Sequence, residues 1–319
     1  MSPEVTIAVV SWNTRELLRA CLRSLESDQA AGRIAVVVVD NASSDGSAEM
    51  AQAEFPWVET IASQRNLGFG PAVNLAAERS STPWIAPANA DIEVTSGAVA
   101  ALLEAGERDP GAGIVAPRLV LPEGGTQHSV HAFPTLLTSA LLALPIARLS
   151  PRLADRLCVV GHWDDRRRRR VDWAHGAFLI VRRRAFDATG GFDPDQWMYA
   201  EDLDLAWRLR KAGWATRYEP TAAVRHVVSA STAKAWGDER SRRSMAASYA
   251  WIARRRGLSV ARAVAAINVG GAVSRIAYYE IRARLGDHHR WQTEVARWRW
   301  HAGLHRLGLR SRRSIFRAR

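Results

Sequence analysis

The chain has 319 residues, 47% hydrophobic and 24% charged, a globular balance that excludes a disordered or fibrous protein. Its formal net charge of +12 is uneven: residues 234–319 hold 20 Lys and Arg against 5 Asp and Glu, whereas residues 1–233 hold 24 against 27. The basic character belongs to the C-terminal segment, so an acidic partner, nucleic acid or an anionic membrane surface, is to be sought there.

Met1–Asn13 begins with an acid and runs straight into a strand pattern, so no secretory leader is expected. Val5–Val10 is an apolar β-branched run of the kind that forms a buried parallel strand. Ser11-Trp12-Asn13-Thr14 follows, then a helix through Glu26 with its apolar face at Leu17, Leu18, Cys21, Leu22 and Leu25. Cys21 and Cys158 form no metal or redox spacing; Cys21 reads as core, and a reduced cytosolic compartment fits. Ile34–Val39 is a second buried strand ending at Asp40-Asn41, and a short helix and a third strand near Val58–Ala62 come next. This β-α-β-α-β order predicts an α/β fold with a parallel sheet and right-handed crossovers. Ligands in such sheets bind beyond the carboxyl ends of the strands, where Ser11, Asn13, Asp40 and Asn41 fall. Ser-Trp-Asn-Thr replaces the G-x-G-x-x-G of dinucleotide-binding domains, which counts against a nicotinamide or flavin cofactor.

The stretch Gln64–Asn74, with Asn66, Gly68 and Asn74, is a Gly-rich turn feeding a helix and can place N–H groups on phosphate. Trp84–Pro87 reads as a strand running into Ala88-Asn89-Ala90-Asp91. An acid there, after a phosphate-type turn and in a sheet carrying Asp40, can hold a divalent cation against a diphosphate. The longest charge-free run, Gly124–Ala147, contains Pro134 and Pro145 and an apolar part too short to span a bilayer, so no transmembrane helix is expected.

Arg166–Arg170 is a run of five arginines, either a solvated loop or a contact for an anionic lipid carrier. Val171–Val181 follows and ends in an apolar strand; Trp173 can stack on a sugar ring or pack in the core, and His175 can bond a hydroxyl or phosphate. From Gly190 to Gly213 five carboxylates precede and enter a helix whose apolar residues Leu205, Leu209 and Ala212 recur at helical spacing. Asp204 has Arg208 at i+4 as an ion-pair partner. Glu201 and Asp202 have no such partner: they are either dipole-complementing acids of a first turn or a mutually repelling pair with one raised pKa, suited to a general base.

VSWN, VVDNASSDGS, RNLGFGPAVN, NAD, WAHGAFLIVRR, GGFD and MYAEDLDLAWRLRKAGW, in this order, closely resemble the family 2 glycosyltransferases, and among them the rhamnosyltransferase-like group that extends bacterial cell-wall or polysaccharide precursors. The resemblance covers about residues 4–230. It implies a GT-A fold, a mostly parallel sheet flanked by helices, with a nucleotide half at about 1–95 and an acceptor half at about 96–232. It further implies a dTDP- or UDP-sugar donor, dTDP-rhamnose first, a lipid-linked or glycan acceptor, a divalent cation (Mg2+ or Mn2+) and inversion at the anomeric carbon. By the same resemblance Asp40, beside Asn41, binds the nucleoside, and the turn Asn66–Asn74 follows the base and ribose. Asn89-Ala90-Asp91 matches the D-x-D position, with Asp91 the metal ligand and Asn89 in place of the first acid. His226 matches a histidine facing the metal or diphosphate, and Asp202 the base, with Glu201 orienting it or holding an acceptor hydroxyl. Trp173 and His175 fall to the acceptor side. The other reading is a catalytically silent relative serving as a membrane-associated assembly module.

Residues 233–319 read as a basic, Trp- and Arg-rich helical extension, with the tail from Leu309 frayed. Trp291, Val295, Trp298 and Ala302 form an apolar stripe flanked by Arg290, Arg297, Arg299 and Arg306. Such a helix suits an anionic membrane interface, or packs on the catalytic domain with a basic outer face. Nucleic acid is not expected, because no helix-turn-helix, zinc or RNP-type motif is present. The expected location is cytoplasmic, peripheral on the cytoplasmic face of the cell membrane.

Overall fold

The computed structural model describes residues 2–227, 239–286 and 288–310. The chain forms two compact units: one from residues 1–131 and 164–237 with the last three residues, the other from 132–163 and 238–316. The second unit thus takes in an internal segment as well as the C-terminal extension. The boundary expected at 232/233 and the tail from 311 onward lie outside the described residues.

The first unit is built on β1 (Val5–Ser11), α1 (Arg15–Ala30), β2 (Ile34–Asp40), α2 (Ser47–Glu54), β3 (Glu59–Ala62), α3 (Phe69–Glu78), β4 (Trp84–Asn89), β5 (Ile92–Val94), α4 (Ala98–Arg108) and β6 (Ala112–Val120). The apolar run of β1 pairs in parallel with β2 and β4, because crossover helices cover both faces of these strands. Leu18, Cys21, Leu22 and Leu25 of α1 are fully buried against this sheet, as their spacing requires.

After the short β7 (Val130–His131), the second unit contributes α5 (Leu136–Ala143), α6 (Ile146–Leu149) and α7 (Pro151–Arg156). The first unit resumes with β8 (Arg169–Val171), β9 (Trp173–Ala174), β10 (Ile180–Arg182), α8 (Arg183–Ala188), α9 (Glu201–Lys211) and β11 (Ala215–His226). The main sheet runs β3-β2-β1-β4-β10-β6-β11-β5, with β8 paired to β11. The sheet is more mixed than expected. β10 enters antiparallel between β4 and β6, and β11 is parallel to β6 but antiparallel to β5 and β8. This insertion joins β3-β2-β1-β4 to β6-β11-β5 in one sheet.

The arginine run is held within the first unit. Arg168 Nε donates to the fully buried Glu219 at 2.7 Å, and Arg170 forks onto Asp109 at 2.8 and 3.2 Å. These two arginines therefore fix β8 and its surroundings, which corrects the lipid-carrier reading for them.

The second unit consists of α5–α7, α10 (Glu239–Arg256), α11 (Leu258–Leu285) and α12 (His288–Leu309). Val295 and Ala302 are 1% and 2% exposed. Trp291 stacks on Tyr279 of α11, and Trp298 lies under Arg275. The apolar stripe of α12 therefore packs within its own unit. Periodicity identified an apolar face correctly, and α11 packs against it. α11 is long and apolar enough to cross a membrane by length and composition. Arg262 and Arg275 break its apolar residues into shorter charge-free runs, which is why no span was expected there. Ala261, Val264, Ala265 and Ala272 are buried, so one face of α11 serves as core.

Candidate active site

The carboxyl ends of β1 and β2 meet in register, Ser11 opposite Asp40, and the Asn41 N–H donates to the Ser11 carbonyl at 2.8 Å. Each strand then turns sharply, with Asn13 (φ 53°) and Ala42 (φ 61°) in the left-handed region. Asp40 Oδ2 accepts the Ser43 N–H at 2.8 Å, while Oδ1 is buried with no hydrogen-bond partner. A buried lone carboxylate oxygen is costly unless a ligand donor reaches it.

The turn after β3 is pinned to this end of the sheet. Asn41 Nδ2 donates to the Gly68 carbonyl (3.2 Å), its Oδ1 accepts the Leu67 N–H (3.3 Å), and Asn66 Oδ1 accepts the Gly68 N–H (2.9 Å). Gly68 sits at φ 87°, and a Cβ there would lie 2.3 Å from the Trp197 carbonyl oxygen, so only glycine fits. Four expected donor residues thus act as scaffold. Ser11 is fully buried with its Oγ on Thr14, and Asn41 and Asn66 shape the turn. Asn74 bonds both the carbonyl and the N–H of Phe192 at 2.8 Å, spending both ends of its amide. This corrects the donor-contact reading for Asn74: it ties α3 to the loop that leads into α9.

β4 ends at Asn89, whose N–H donates to the Ala177 carbonyl at 2.9 Å, and Asp91 follows, 7% exposed. Antiparallel pairing of β11 with β5 sets His226 opposite Ile92, so its ring reaches Asp91: Nε2 and Oδ1 are 3.4 Å apart. His226 Nδ1 lies 2.8 Å from Gln127 Oε1, an acceptor, so in the neutral ring Nδ1 carries the hydrogen and Nε2 a lone pair. That Nε2 is buried without a hydrogen-bond partner. A carboxylate oxygen and an imidazole lone pair turned toward each other suit a divalent cation, and the Gln127 carbonyl behind the ring orients the imidazole. No cluster of three or more His, Cys, Asp or Glu suited to a metal occurs among the described residues. Two protein donors fit a cation that draws its remaining ligands from elsewhere.

At the other side of the site, Tyr199 (φ 60°) and Ala200 (φ 62°) are consecutive left-handed residues just before α9. Non-glycine strain of this kind persists only where the surroundings enforce it; here it sets the direction from which Glu201 and Asp202 emerge. Asp202 Oδ2 accepts the Gly176 N–H at 2.9 Å and Oδ1 the Leu203 N–H at 2.7 Å. Burial pushes Asp202 up to about 6 against the pull of these N–H donors. Burial, with the Asp202 charge beside it, pushes Glu201 up to about 8, and Glu201 Oε2 is buried without a partner. Near neutrality the pair therefore holds about one proton between its two carboxyls, and the two N–H donors on Asp202 favour the anion on that side. Asp204, fully buried, binds Arg208 Nε at 2.7 Å as the i+4 spacing predicts.

His175, one residue before Gly176, has its Nε2 3.0 Å from His131 Nε2, and burial lowers it to about 4. His131 stacks on Trp173 with ring centroids 4.4 Å apart. One face of Trp173 is thus covered by His131, and the His175 ring is spent on its neighbour. Both lie beside the acid pair in an aromatic cluster that includes His131, which burial also keeps neutral, and His128 edge-on to His131. Gln127, His128 and His131 were missed because short loops carry no periodicity to mark them.

Two family models cover nearly the whole chain: glycosyl transferase family 2 matches residues 6–148, and glycosyl transferase family group 2 matches residues 149–316. The chain belongs to the family 2 glycosyltransferases. It is 34% identical over 215 residues to an N-acetylglucosaminyl-diphospho-decaprenol L-rhamnosyltransferase of Mycobacterium tuberculosis, covering 63% of this chain and 69% of that protein. This glycosyltransferase has the GT-A fold expected for it. The mannosyltransferase PcManGT of Pyrobaculum calidifontis, solved with GDP-Man and Mn2+, superposes with TM-score 0.59 at 16% identity, covering 97% of this chain and 87% of that one. TarS residues 1–349 of S. aureus with UDP gives TM-score 0.51 at 15% identity, covering 84% and 70%.

Proposed function

We propose that this glycosyltransferase moves a hexose, rhamnose from dTDP-rhamnose, onto a hydroxyl of a lipid-linked acceptor in bacterial cell-envelope glycan synthesis, with inversion at the anomeric carbon. The observation that carries the reading is that one unit holds two chemically different pairs: Asp91 with His226 where β4 and β11 end, and Asp202 with Glu201 at the start of α9. The name of the mycobacterial relative supports the sugar and the lipid-linked acceptor. Asp40 offers a buried, unfilled oxygen to the nucleoside, and Asn13 lies at the adjoining turn.

Asp91 and His226 would hold the divalent cation, Mg2+ or Mn2+, with Asn89 beside them contributing no charge. A bound cation there supplies charge neutralisation for the departing nucleoside diphosphate. The chain's own residues do the rest. Asp202, held by the Gly176 and Leu203 N–H groups, accepts the proton of the acceptor hydroxyl as its oxygen bonds to C1. The C1–O bond to the diphosphate breaks on the opposite face, so no enzyme nucleophile is needed. Glu201, whose Oε2 has no hydrogen-bond partner, would hold the proton the pair retains, leaving Asp202 with its two N–H donors as the anion. Trp173 and the histidines beside it form an apolar, neutral flank for the acceptor.

A panel of nucleotide sugars, screened by thermal shift with and without Mn2+ and then assayed for transfer, tests the donor. dTDP-rhamnose should give the largest stabilisation and the only rapid transfer. A larger response to another sugar nucleotide would replace it.

A further inference from the structure

Among the described residues, every large apolar side chain that is exposed belongs to the second unit. Leu137 and Leu144, on and just after α5, are 69% and 50% exposed; Ile281 and Leu285, on α11, are 57% and 79% exposed. By sequence the same unit holds 20 arginines against six carboxylates, whereas the remainder of the chain holds 24 basic residues against 26 acidic ones. Apolar exposure and positive charge therefore coincide. Singly scattered surface leucines need no explanation, but this concentration does.

The leucines are not spill-over from the core. The inner faces of α11 and α12 supply Ala261, Val264, Ala272, Val295 and Leu304 to the packing of the unit. On α11, Val273, Ala277, Ile281 and Leu285 recur every four residues and all face solvent, beside the exposed Arg282 and Arg284. α5 is a braced helix: Thr135 and Thr138 form a reciprocal cap at its start. Arg275 of α11 donates to the carbonyls of Leu142, Ala143 and Leu144 at its end, at 2.8–3.0 Å. Gly271 lets the two helices approach so closely that a Cβ there would meet Ala143 Cβ at 2.8 Å. The leucine-bearing helix is thereby fastened to the helix that carries the second apolar stripe.

We propose that the second unit docks on an anionic bilayer surface through Leu136–Leu149 of the inserted segment and the Val273–Leu285 stripe, with its arginines in the headgroup layer. Charge decides the occupant. A second copy would bring the same arginine-rich unit, with Arg282 and Arg284 exposed beside the stripe, whereas anionic lipid complements that charge. The chemistry is that of a helix lying in the interface, with apolar side chains inward and arginines around them. Spanning is disfavoured because α11 carries Arg262, Arg275, Glu280 and Arg282, and its Asn268 is bonded to Tyr249 inside the unit. The surface is distinct from the α12 tryptophan stripe, which is packed away. The proposal adds to the lipid-linked acceptor reading by stating which residues hold the enzyme where such an acceptor lies.

The test is flotation of the full chain with vesicles of phosphatidylcholine alone or mixed equally with phosphatidylglycerol, for the native protein, Leu137→Ser/Leu144→Ser and Ile281→Ser/Leu285→Ser. Sedimentation velocity and circular dichroism are run on each, and transfer to a soluble acceptor analogue is measured. Native protein should bind the anionic vesicles at least tenfold more tightly than the neutral ones. Each double variant should lose at least tenfold of that binding, with sedimentation and transfer to the soluble analogue unchanged. Native-like vesicle binding by both variants overturns the proposal. So does a native dimer that the variants dissociate while vesicle binding persists. Vesicle binding that behaves as expected in a protein that fails to glycosylate any lipid-linked acceptor leaves the surface standing and removes the acceptor reading instead.

Discussion

His226 Nε2 faces Asp91 Oδ1 at 3.4 Å, and the ring is oriented from behind by Gln127 Oε1 at 2.8 Å on Nδ1. Three segments far apart in sequence thus converge on one point, and the orientation of the imidazole is fixed by a neutral amide. Gln127→Leu removes that partner and leaves Nδ1–H unsatisfied. Mn2+-dependent thermal stabilisation in the presence of nucleoside diphosphate should fall about 10-fold or more in apparent metal affinity. Asp91→Ala should abolish it, whereas equal metal responses in all three proteins would remove the cation from this pair.

The acid pair sets a pH signature. Asp202 must be ionised to accept a proton, and burial places it at about 6. kcat/KM should therefore fall tenfold per pH unit below about 6. Glu201 is protonated until about 8, so Glu201→Gln preserves its neutral form. That variant should keep the acid limb and most of its activity at pH 7, and differ from native enzyme only above about 8. Loss of the acid limb in Glu201→Gln would transfer the base role to Glu201.

The same burial has a cost in stability. Glu201 is raised in the folded state, from 4.5 to about 8, so between those values the unfolded chain binds fewer protons than the native one. Stability contributed by the protonated form is complete below about 4.5 and is lost as pH rises through about 8. Glu201→Gln removes this dependence. Its melting temperature should equal that of native protein at pH 4.5 and exceed it by roughly 2 °C or more at pH 8.5. A constant offset across pH would contradict the burial of the Glu201 charge.

Gly68 combines a left-handed backbone with the close approach of Trp197. Gly68→Ala should destabilise the protein by at least about 1–3 kcal/mol, the usual scale for enforced strain, and weaken nucleotide binding because the turn held by Asn41 is displaced. Chemical denaturation and nucleotide titration measure the two effects. Unaltered values in both would show the turn to be remote from the donor.

Much of the sheet and of the donor end was legible because it lies in contiguous motifs. The β1 and β2 runs fix two adjoining strands, and their ends fix where Asn13 and Asp40 sit. Glu201 and Asp202 stood out because no basic residue lies one turn away on the helix. Other features depend on distant partners and leave no local trace. Gln127 matters only through His226, and Trp173 is half covered by His131, which no spacing rule connects to it. Asn74 looked like a ligand because asparagines after Gly-rich turns often are; its amide is instead consumed by Phe192. The tryptophan stripe of α12 had the right period, but a period says that a face is apolar and not what covers it. The antiparallel entry of β10 was equally hidden, since a three-residue strand has no pattern of its own.

The central claim is that Asp202 is the base of a glycosyl transfer whose donor is held at Asp91 and His226. Asp202→Asn tests it most directly, because asparagine can still accept the Gly176 N–H while it cannot take a proton. The variant should bind nucleotide sugar within about threefold of native affinity and lose at least a factor of about 10²–10⁴ in single-turnover transfer. Transfer at a near-native rate by Asp202→Asn, with donor affinity intact, would contradict it.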